Sequence, residues 1–148
     1  MYTRILVAIE HSAADATIVE HVCQLARLTH AELILVHVAD GWAARHFDEL
    51  ALRESEEMRD DREYLEALAA RLLAEGLPTQ WRLGRGDPAA EIVRISRAEG
   101  VDLIAMATHG HRGINDLIRG TTVNKVRHDV SVPVLLLRAK SSASTPQG

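Results

Sequence analysis

The sequence is poor in several things, and each shortage excludes something. It has one cysteine, Cys23. One thiol closes no internal disulfide, so a reducing compartment is expected. Aromatic residues are 3% of the chain: Tyr2, Trp42, Phe47, Tyr64 and Trp81. That argues against an aromatic platform for stacking nucleic-acid bases. Lysine occurs only as Lys125 and Lys140, and Lys plus Arg total 17 against 21 Asp plus Glu, for a net charge of −4. A binder of nucleic acid or of a membrane surface would need a basic field, which this balance does not supply. No apolar run approaches the roughly 20 residues of a membrane span. Residues 1–4 lead straight into an apolar strand, with no charged-then-apolar leader. A soluble cytosolic protein is expected.

What is present is ordinary globular material, with 47% hydrophobic and 26% charged residues over 148 positions. A chain of this length corresponds to about one domain of roughly 100–200 residues. It can bury roughly 68–70% of its unfolded surface without a metal or disulfide staple.

Arg4-Ile5-Leu6-Val7-Ala8-Ile9 and Leu33-Ile34-Leu35-Val36-His37-Val38 are short, nearly continuous apolar runs. Such runs suit strands covered on both faces, as in parallel sheets. Between them, Ile18, Val22, Leu25 and Leu28 recur at helical spacing. Ser12 is the expected N-cap there, with Asp15 three residues on closing a weak capping box. Residues 39–52, with Gly41, Trp42 and Phe47, have no clear period and read as a loop with some helix. Trp42 and Phe47 there suit a lid or partner surface as well as a cover for the core. Residues 53–75 form a long amphipathic helix on Met58, Leu65, Leu68 and Leu72, with Gly76 as its stop. Its Glu/Arg run from residue 53 to 66 reads as a solvated face, with Glu57 and Asp61 in repulsion and Arg59 and Glu63 in attraction.

Residues 79–83 give a third, weaker strand. Asp87-Pro88 is a helix start, Ile92, Val93 and Ser96 face inward, and Gly100 ends that helix. Residues 101–108 make a fourth strand, and a glycine-bearing loop runs from 109 to 120. Thr121 or Thr122 opens a short helix to about His128, where a cation suits the helix dipole. Val134-Leu135-Leu136-Leu137 is the fifth strand, and the Ser/Pro/Gln/Gly composition from residue 140 predicts a disordered tail. Alternating strands and helices imply a single doubly wound α/β domain: a parallel sheet, right-handed crossovers and helices on both faces. Ligands in such sheets bind beyond the carboxyl ends of the strands, where strand order reverses. The places to search are residues 10–12, 38–41, 84–87 and 106–122.

The last of these carries the strongest chemistry. Ala107-Thr108-His109-Gly110-His111-Arg112-Gly113 follows a strand, and nine residues separate Gly110 from Gly120-Thr121-Thr122 at a helix start. Glycines allow close backbone approach to a phosphate, and a helix N-terminus offers free N–H groups and the positive end of a dipole. Thr121 and Thr122 add hydroxyl donors, and His111 and Arg112 add positive potential. The bland reading is a loop whose glycines only permit tight turns. Thr108-His109-Gly110-His111 also spells the Thr-x-Gly-His of nucleotidylyltransferases, but there the motif follows the first strand. His11, His37, His109 and His111 fall at or near strand ends, where metal ligation is conceivable; the plainer reading has His37 facing a neighbour within the sheet. Cys23, beside Val22 on the first helix, reads as a half-buried structural thiol.

These segments together resemble the universal stress protein (UspA) family over nearly the whole chain, residues 2–138, with residues 139–148 as a tail. The resemblance is carried by the opening Ile5-Leu6-Val7-Ala8-Ile9-Glu10-His11-Ser12, by Ala31 through Val38, and by Gly84-x-Gly86-Asp87-Pro88-Ala89-x-Glu91-Ile92. Val101-Asp102-Leu103-Ile104-Ala105-Met106-Ala107-Thr108-His109-Gly110 continues it. Gly120-Thr121-Thr122-Val123-Asn124-Lys125-Val126 and Val132-Pro133-Val134-Leu135 complete it. It implies a Rossmann-like fold of the adenine nucleotide alpha hydrolase-like kind, with five parallel strands in the order 3-2-1-4-5.

ATP-binding members of that family carry Gly-x-x-Gly, nine residues, then Gly-Ser or Gly-Thr. Here the second glycine is Gly110, the third is Gly120 and the hydroxyl residue is Thr121, while Ala107 replaces the first glycine. Glu10 stands where the family usually has Asp, one methylene longer, and His11 and His111 also depart from its pattern. The resemblance implies adenine against Ala8, Ile9 and Met106, recognised by the Val38 backbone. Glu10 then faces the ribose or a metal-bound water. The phosphates lie over Gly110, Gly120, Thr121 and Thr122, with His111, Arg112 and Val123 nearby. The expected activity is binding of ATP, AMP or another adenine nucleotide, with Mg²⁺, as a stress-response sensor or regulator. A homodimer would form through residues 134–137, since an apolar edge strand needs a partner. The alternatives are a dimeric interaction module that binds no nucleotide, and a slow ATPase. The sequence offers no matched general base and nucleophile beyond Glu10 and His11, so no enzyme is favoured.

Overall fold

The computed structural model describes residues 1–40, 49–108 and 120–139. Its elements run β1 (Arg4–Ala8), α1 (Ala14–Thr29), β2 (Glu32–Asp40), α2 (Glu49–Ala74), β3 (Thr79–Gly86), α3 (Pro88–Glu99), β4 (Leu103–Thr108), α4 (Gly120–Asp129) and β5 (Val134–Arg138). The five strands form one parallel sheet in the order β3-β2-β1-β4-β5, the order that the family resemblance implies.

Strand side chains alternate between faces, and the core divides accordingly. Ile5, Val7, Ile9, Leu33, Leu35, Leu103 and Ala105 pack under α1 and α2, against Ile18, Val22, Leu65 and Leu72. Leu6, Ala8, Ile34, Val36, Val38, Ile104 and Met106 pack under α3 and α4, against Ile92, Val93, Val123 and Val126. Both faces of every central strand are thus apolar, which is why the strands read as unbroken apolar runs.

The helix ends follow the local chemistry. Asp87 caps α3 by accepting from the Ala90 amide at 2.9 Å, with Pro88 in the first turn. Gly76, at φ +87°, ends α2, and the Leu77 amide donates back to the Leu72 carbonyl at 3.0 Å. Asp102 ties the start of β4 to that of β1. Its carboxylate accepts from the amides of Thr3 (2.8 Å) and Arg4 (3.1 Å) and from the Thr3 hydroxyl (2.9 Å).

Several expectations are corrected. Ser12 is not the N-cap of α1: Ala13 holds that position, with no side-chain cap. Leu28 does not face inward and is 81% exposed. At 3.6 residues per turn it lies on the far side of α1 from Ala26, and the buried stripe runs through Asp15, Val19, Val22 and Ala26. Cys23 is buried rather than half-buried. β2 and β3 run further than expected, to Asp40 and Gly86, because they pair in parallel register over their last residues, Val38 with Gly84 through Asp40 with Gly86. β4 begins at Leu103 rather than residue 101, and α4 at Gly120 rather than at a threonine. Trp42, Phe47 and the tail from residue 140 lie outside the described residues. Among the described residues no helix is long and apolar enough to cross a membrane.

Candidate functional site

Strand order reverses between β1 and β4: the chain leaves β1 for β2 and β3 on one side and returns to β4 and β5 on the other. The crevice beyond their carboxyl ends is where open α/β sheets place ligands. Four of the residues singled out above meet there. Ala8, Val38, Met106 and Val123 belong to one buried cluster on the α3/α4 face. Ala107 follows on β4 and is 2% exposed. Ile9 is not with them: its side chain turns to the α1/α2 face, and only its backbone borders the crevice. Its amide donates to the Val36 carbonyl at 2.7 Å. Val38, two residues on, turns its own amide and carbonyl to that same side of β2, where β1 ends. Gly84 pairs with Val38 on β3, and a Cβ there would crowd Glu91 Oε2 at 3.1 Å.

At the start of α4, Gly120 and Thr121 are exposed, while Thr122 and Val123 are buried. The first-turn amides of α4 therefore begin beside the cluster that contains Ala8, Val38 and Met106, with an exposed hydroxyl at Thr121. Among the described residues, a Cβ added at Gly120 meets nothing within 4 Å. Gly110, His111 and Arg112 lie outside the described residues, as does His109.

The turn from β1 into α1 is held by a carboxylate that makes the expected capping-box bond and two more. Asp15, 3% exposed, reaches back over the turn. It accepts from the backbone amides of Glu10 (2.8 Å), His11 (2.9 Å) and Ser12 (3.2 Å). This is half of a capping box with the other half displaced: Ser12 Oγ accepts from the Ala14 amide at 3.2 Å and donates to Glu10 Oε2 at 3.1 Å. The turn carries His11 at φ +63°, a left-handed conformation rare outside glycine, and the three amide bonds to Asp15 compensate for it. Glu10 is buried and fixed by its neighbours at the carboxyl end of β1.

α2 completes this arrangement through residues that sequence reasoning missed. Tyr64 stacks on the His11 ring, with centroids 4.1 Å apart, and its hydroxyl donates to Asp15 at 2.7 Å. Burial, and then that bond to an anion, push the Tyr64 hydroxyl well above its ordinary value. Asp61, assigned above to a solvated face, has its side chain only 15% exposed and lies between two imidazoles. It is 2.7 Å from His11 Nδ1 and 3.3 Å from His37 Nε2. His37 faces its neighbour within the sheet, with Nδ1 2.8 Å from the Ile9 carbonyl. The available signal was periodicity: Asp61 and Tyr64 precede Leu65 and Leu68 at helical spacing, so both lie on the buried stripe. Of the four histidines noted in the sequence, the described residues bring His11 and His37 together. No group of three His, Cys, Asp or Glu among the described residues is placed to hold a metal ion.

The profile of the Universal stress protein family matches residues 1–138. The universal stress protein YxiE of Bacillus subtilis is 26% identical, over 93% of this chain and 100% of its own. The universal stress protein MJ0577 of Methanocaldococcus jannaschii is 26% identical, over 96% and 98%. Its solved structure superposes with a TM-score of 0.80 over 96% of this chain and 99% of that one. Two more distant structures share the fold. One, from Archaeoglobus fulgidus in complex with dAMP, is 19% identical with a TM-score of 0.63, covering 91% of this chain and 97% of its own. The other, in complex with cAMP, is 18% identical with a TM-score of 0.68, covering 94% and 98%.

Proposed function

The chain belongs to the universal stress protein family, and from that premise we propose that it binds ATP or a related adenine nucleotide as a sensor or regulator in a stress response. The observation that carries the reading is the meeting of Ala8, Val38, Met106 and the first turn of α4 at the point where strand order reverses. On this reading these apolar side chains would back a purine, next to a helix N-terminus suited to an anion. The relatives solved with dAMP and with cAMP support the adenine class.

In this reading adenine rests on Ala8 and Met106, beside the Ile9 backbone, and is recognised by the Val38 backbone. Glu10 faces the ribose. The phosphates are assigned to Gly110, Gly120, Thr121 and Thr122, with Val123 nearby, and His111 and Arg112 are assigned to the same site. Mg²⁺ arrives on the triphosphate. The protein acts as a cytoplasmic homodimer through β5, which lies at the edge of the sheet with Leu136 exposed. One observation favours a second reading, a dimeric module without nucleotide. Ala107 is buried where the family's motif has glycine, so its methyl group occupies space near the crevice.

Heat denaturation of the purified protein, with chromatography of what is released, tests the proposal directly. Bound adenine nucleotide is expected. Mg·ATP at 100 times its dissociation constant should add about 2.7 kcal/mol of stability. No release and no thermal shift at millimolar Mg·ATP would sink the nucleotide reading. Gly120→Val is expected to abolish binding with the fold intact, because a Cβ there meets nothing within 4 Å among the described residues. Ala107→Gly is expected to hold or raise affinity.

A further inference from the structure

The turn that leaves β1 accepts a conformational cost at one residue and then immobilises its side chain. His11 sits at φ +63°, in the left-handed region that residues other than glycine rarely enter. Backbone strain of this kind clusters at active sites and ligand clamps. The ring itself is held from three sides. Tyr64 stacks on it, with centroids 4.1 Å apart and planes 22° apart. His37 of β2 packs edge-on, with centroids at 6.4 Å. Asp61 Oδ1 lies 2.7 Å from Nδ1, and Asp61 is itself fixed, its other oxygen lying 3.3 Å from His37 Nε2. The His11 side chain remains 38% exposed, and its Nε2 has no partner among the described residues. A ring clamped in this way with one nitrogen unused is preorganised for something outside the protein.

We propose that His11 contacts the ribose of the bound nucleotide, its Nε2 accepting from a sugar hydroxyl, with Asp61 and Tyr64 as the residues that position the ring. A carboxylate only accepts, so the proton between Asp61 and the ring belongs to Nδ1, and Nε2 of the neutral imidazole presents a lone pair. A lone pair fixed in place suits a hydroxyl donor; ionised phosphate oxygens only accept and offer it nothing. Position points to the same group. The Ile9 amide is still bonded into the sheet, through the Val36 carbonyl at 2.7 Å, so Glu10 and His11 are the first two residues beyond the carboxyl end of β1. Glu10 is the residue assigned to the ribose. Asp61 and Tyr64 lie three positions apart on α2, so one helix holds the ring by its nitrogen and by its face. The inference rests on the adenine-nucleotide reading of the crevice and adds a sugar preference to it. His11 departs from the family's pattern at this turn, so that preference belongs to this chain and not to the fold.

Calorimetry on the full chain in excess Mg²⁺ tests this with ATP, 2′-deoxyATP and 3′-deoxyATP. Wild type should bind at least one deoxy analogue about fivefold or more weakly than ATP, the worth of one hydrogen bond. His11→Phe keeps a ring against Tyr64 and removes both nitrogens. It should bind ATP and that analogue alike, which closes a cycle between the side chain and the sugar hydroxyl. Asp61→Ala keeps the imidazole but frees it to turn, and should show a smaller preference than wild type. A purely structural role for the turn would weaken all three nucleotides equally and leave the preference unchanged. In the ligand-free protein at alkaline pH, imidazole nitrogen shifts should place the His11 proton on Nδ1. Wild-type affinities for the three nucleotides within roughly twofold of one another overturn the inference. So does a His11→Phe protein that keeps the wild-type preference, or a neutral His11 with its proton on Nε2. Should His11→Phe fail to fold, the wild-type preference and Asp61→Ala decide. If wild type binds none of the three, the nucleotide reading falls and the ribose contact with it; if it binds all three alike, only the ribose contact falls.

Discussion

Asp15→Ala is the most exposing perturbation of the turn that presents Glu10. The carboxylate accepts four hydrogen bonds: from Tyr64 Oη at 2.7 Å, and from the amides of Glu10, His11 and Ser12 at 2.8, 2.9 and 3.2 Å. His11 and Ser12 are exposed, so their amides can turn to water after truncation. Glu10 is buried and the Tyr64 contact is part-buried, so those two donors lose a charged partner without full replacement. A hydrogen bond to a charged group contributes about 1.5–3 kcal/mol, so two such losses amount to about 3–6 kcal/mol. A domain's whole stability is roughly 5–15 kcal/mol, so this is a severe change. Tyr64→Phe keeps the stack on His11 and removes one bond to a charged group, and should cost about 1.5–3 kcal/mol. Urea unfolding followed by far-UV dichroism measures both, and the double variant should cost clearly less than the sum of the two. An Asp15→Ala protein within about 1 kcal/mol of wild type at an unchanged m-value would refute the account, because the left-handed His11 would then hold without its acceptor.

Three further outcomes are expected. Burial pushes the Asp102 carboxyl up, but the Thr3 and Arg4 amides and the Thr3 hydroxyl outweigh it, and the group lies below its ordinary value. A carboxylate held low contributes stability that is present above its unfolded value and lost as pH falls through the folded one. Asp102→Asn should therefore be less stable than wild type at neutral pH, by about 1–2 kcal/mol, with the gap closing in acid; a gap that persists under acid denaturation contradicts this. Burial likewise pushes the Cys23 thiol up, so a thiol reagent such as DTNB should label the native protein slowly and the urea-unfolded protein at once. Rapid labelling of the native state counts against the α1 packing. Leu136→Lys at the β5 edge should shift a homodimer toward monomer in sedimentation velocity, and a wild type that sediments as a monomer at micromolar concentration removes the dimer proposal.

Much of the fold was legible locally. The apolar runs of β1, β2 and β4, the Asp87-Pro88 helix start and the Gly76 stop each depend on neighbours within a few residues. Burial of both strand faces leaves a continuous apolar run that needs no partner to be recognised. The inward side of α3 was read from spacing, and Ile92, Val93 and Ser96 are buried. Leu28 was misplaced because four residues at helical spacing admit two stripes, and the sheet selects the one through Val19, Val22 and Ala26.

The sequence by itself determined the order of elements, the apolar faces and the family motifs, because these are written in short-range periodicity and contiguous residues. Only the tertiary structure decided which side chains meet at the end of β1. Asp61 and His11 are 50 positions apart, Tyr64 and Asp15 are 49 apart, and His37 and Ile9 are 28 apart. The period of α2 puts Asp61 on the same stripe as Leu65 and Leu68, but nothing local to the helix shows that two imidazoles will enclose it. That enclosure arises when α2 packs across β2 and β3 and its polar residues meet a turn already bent around Asp15.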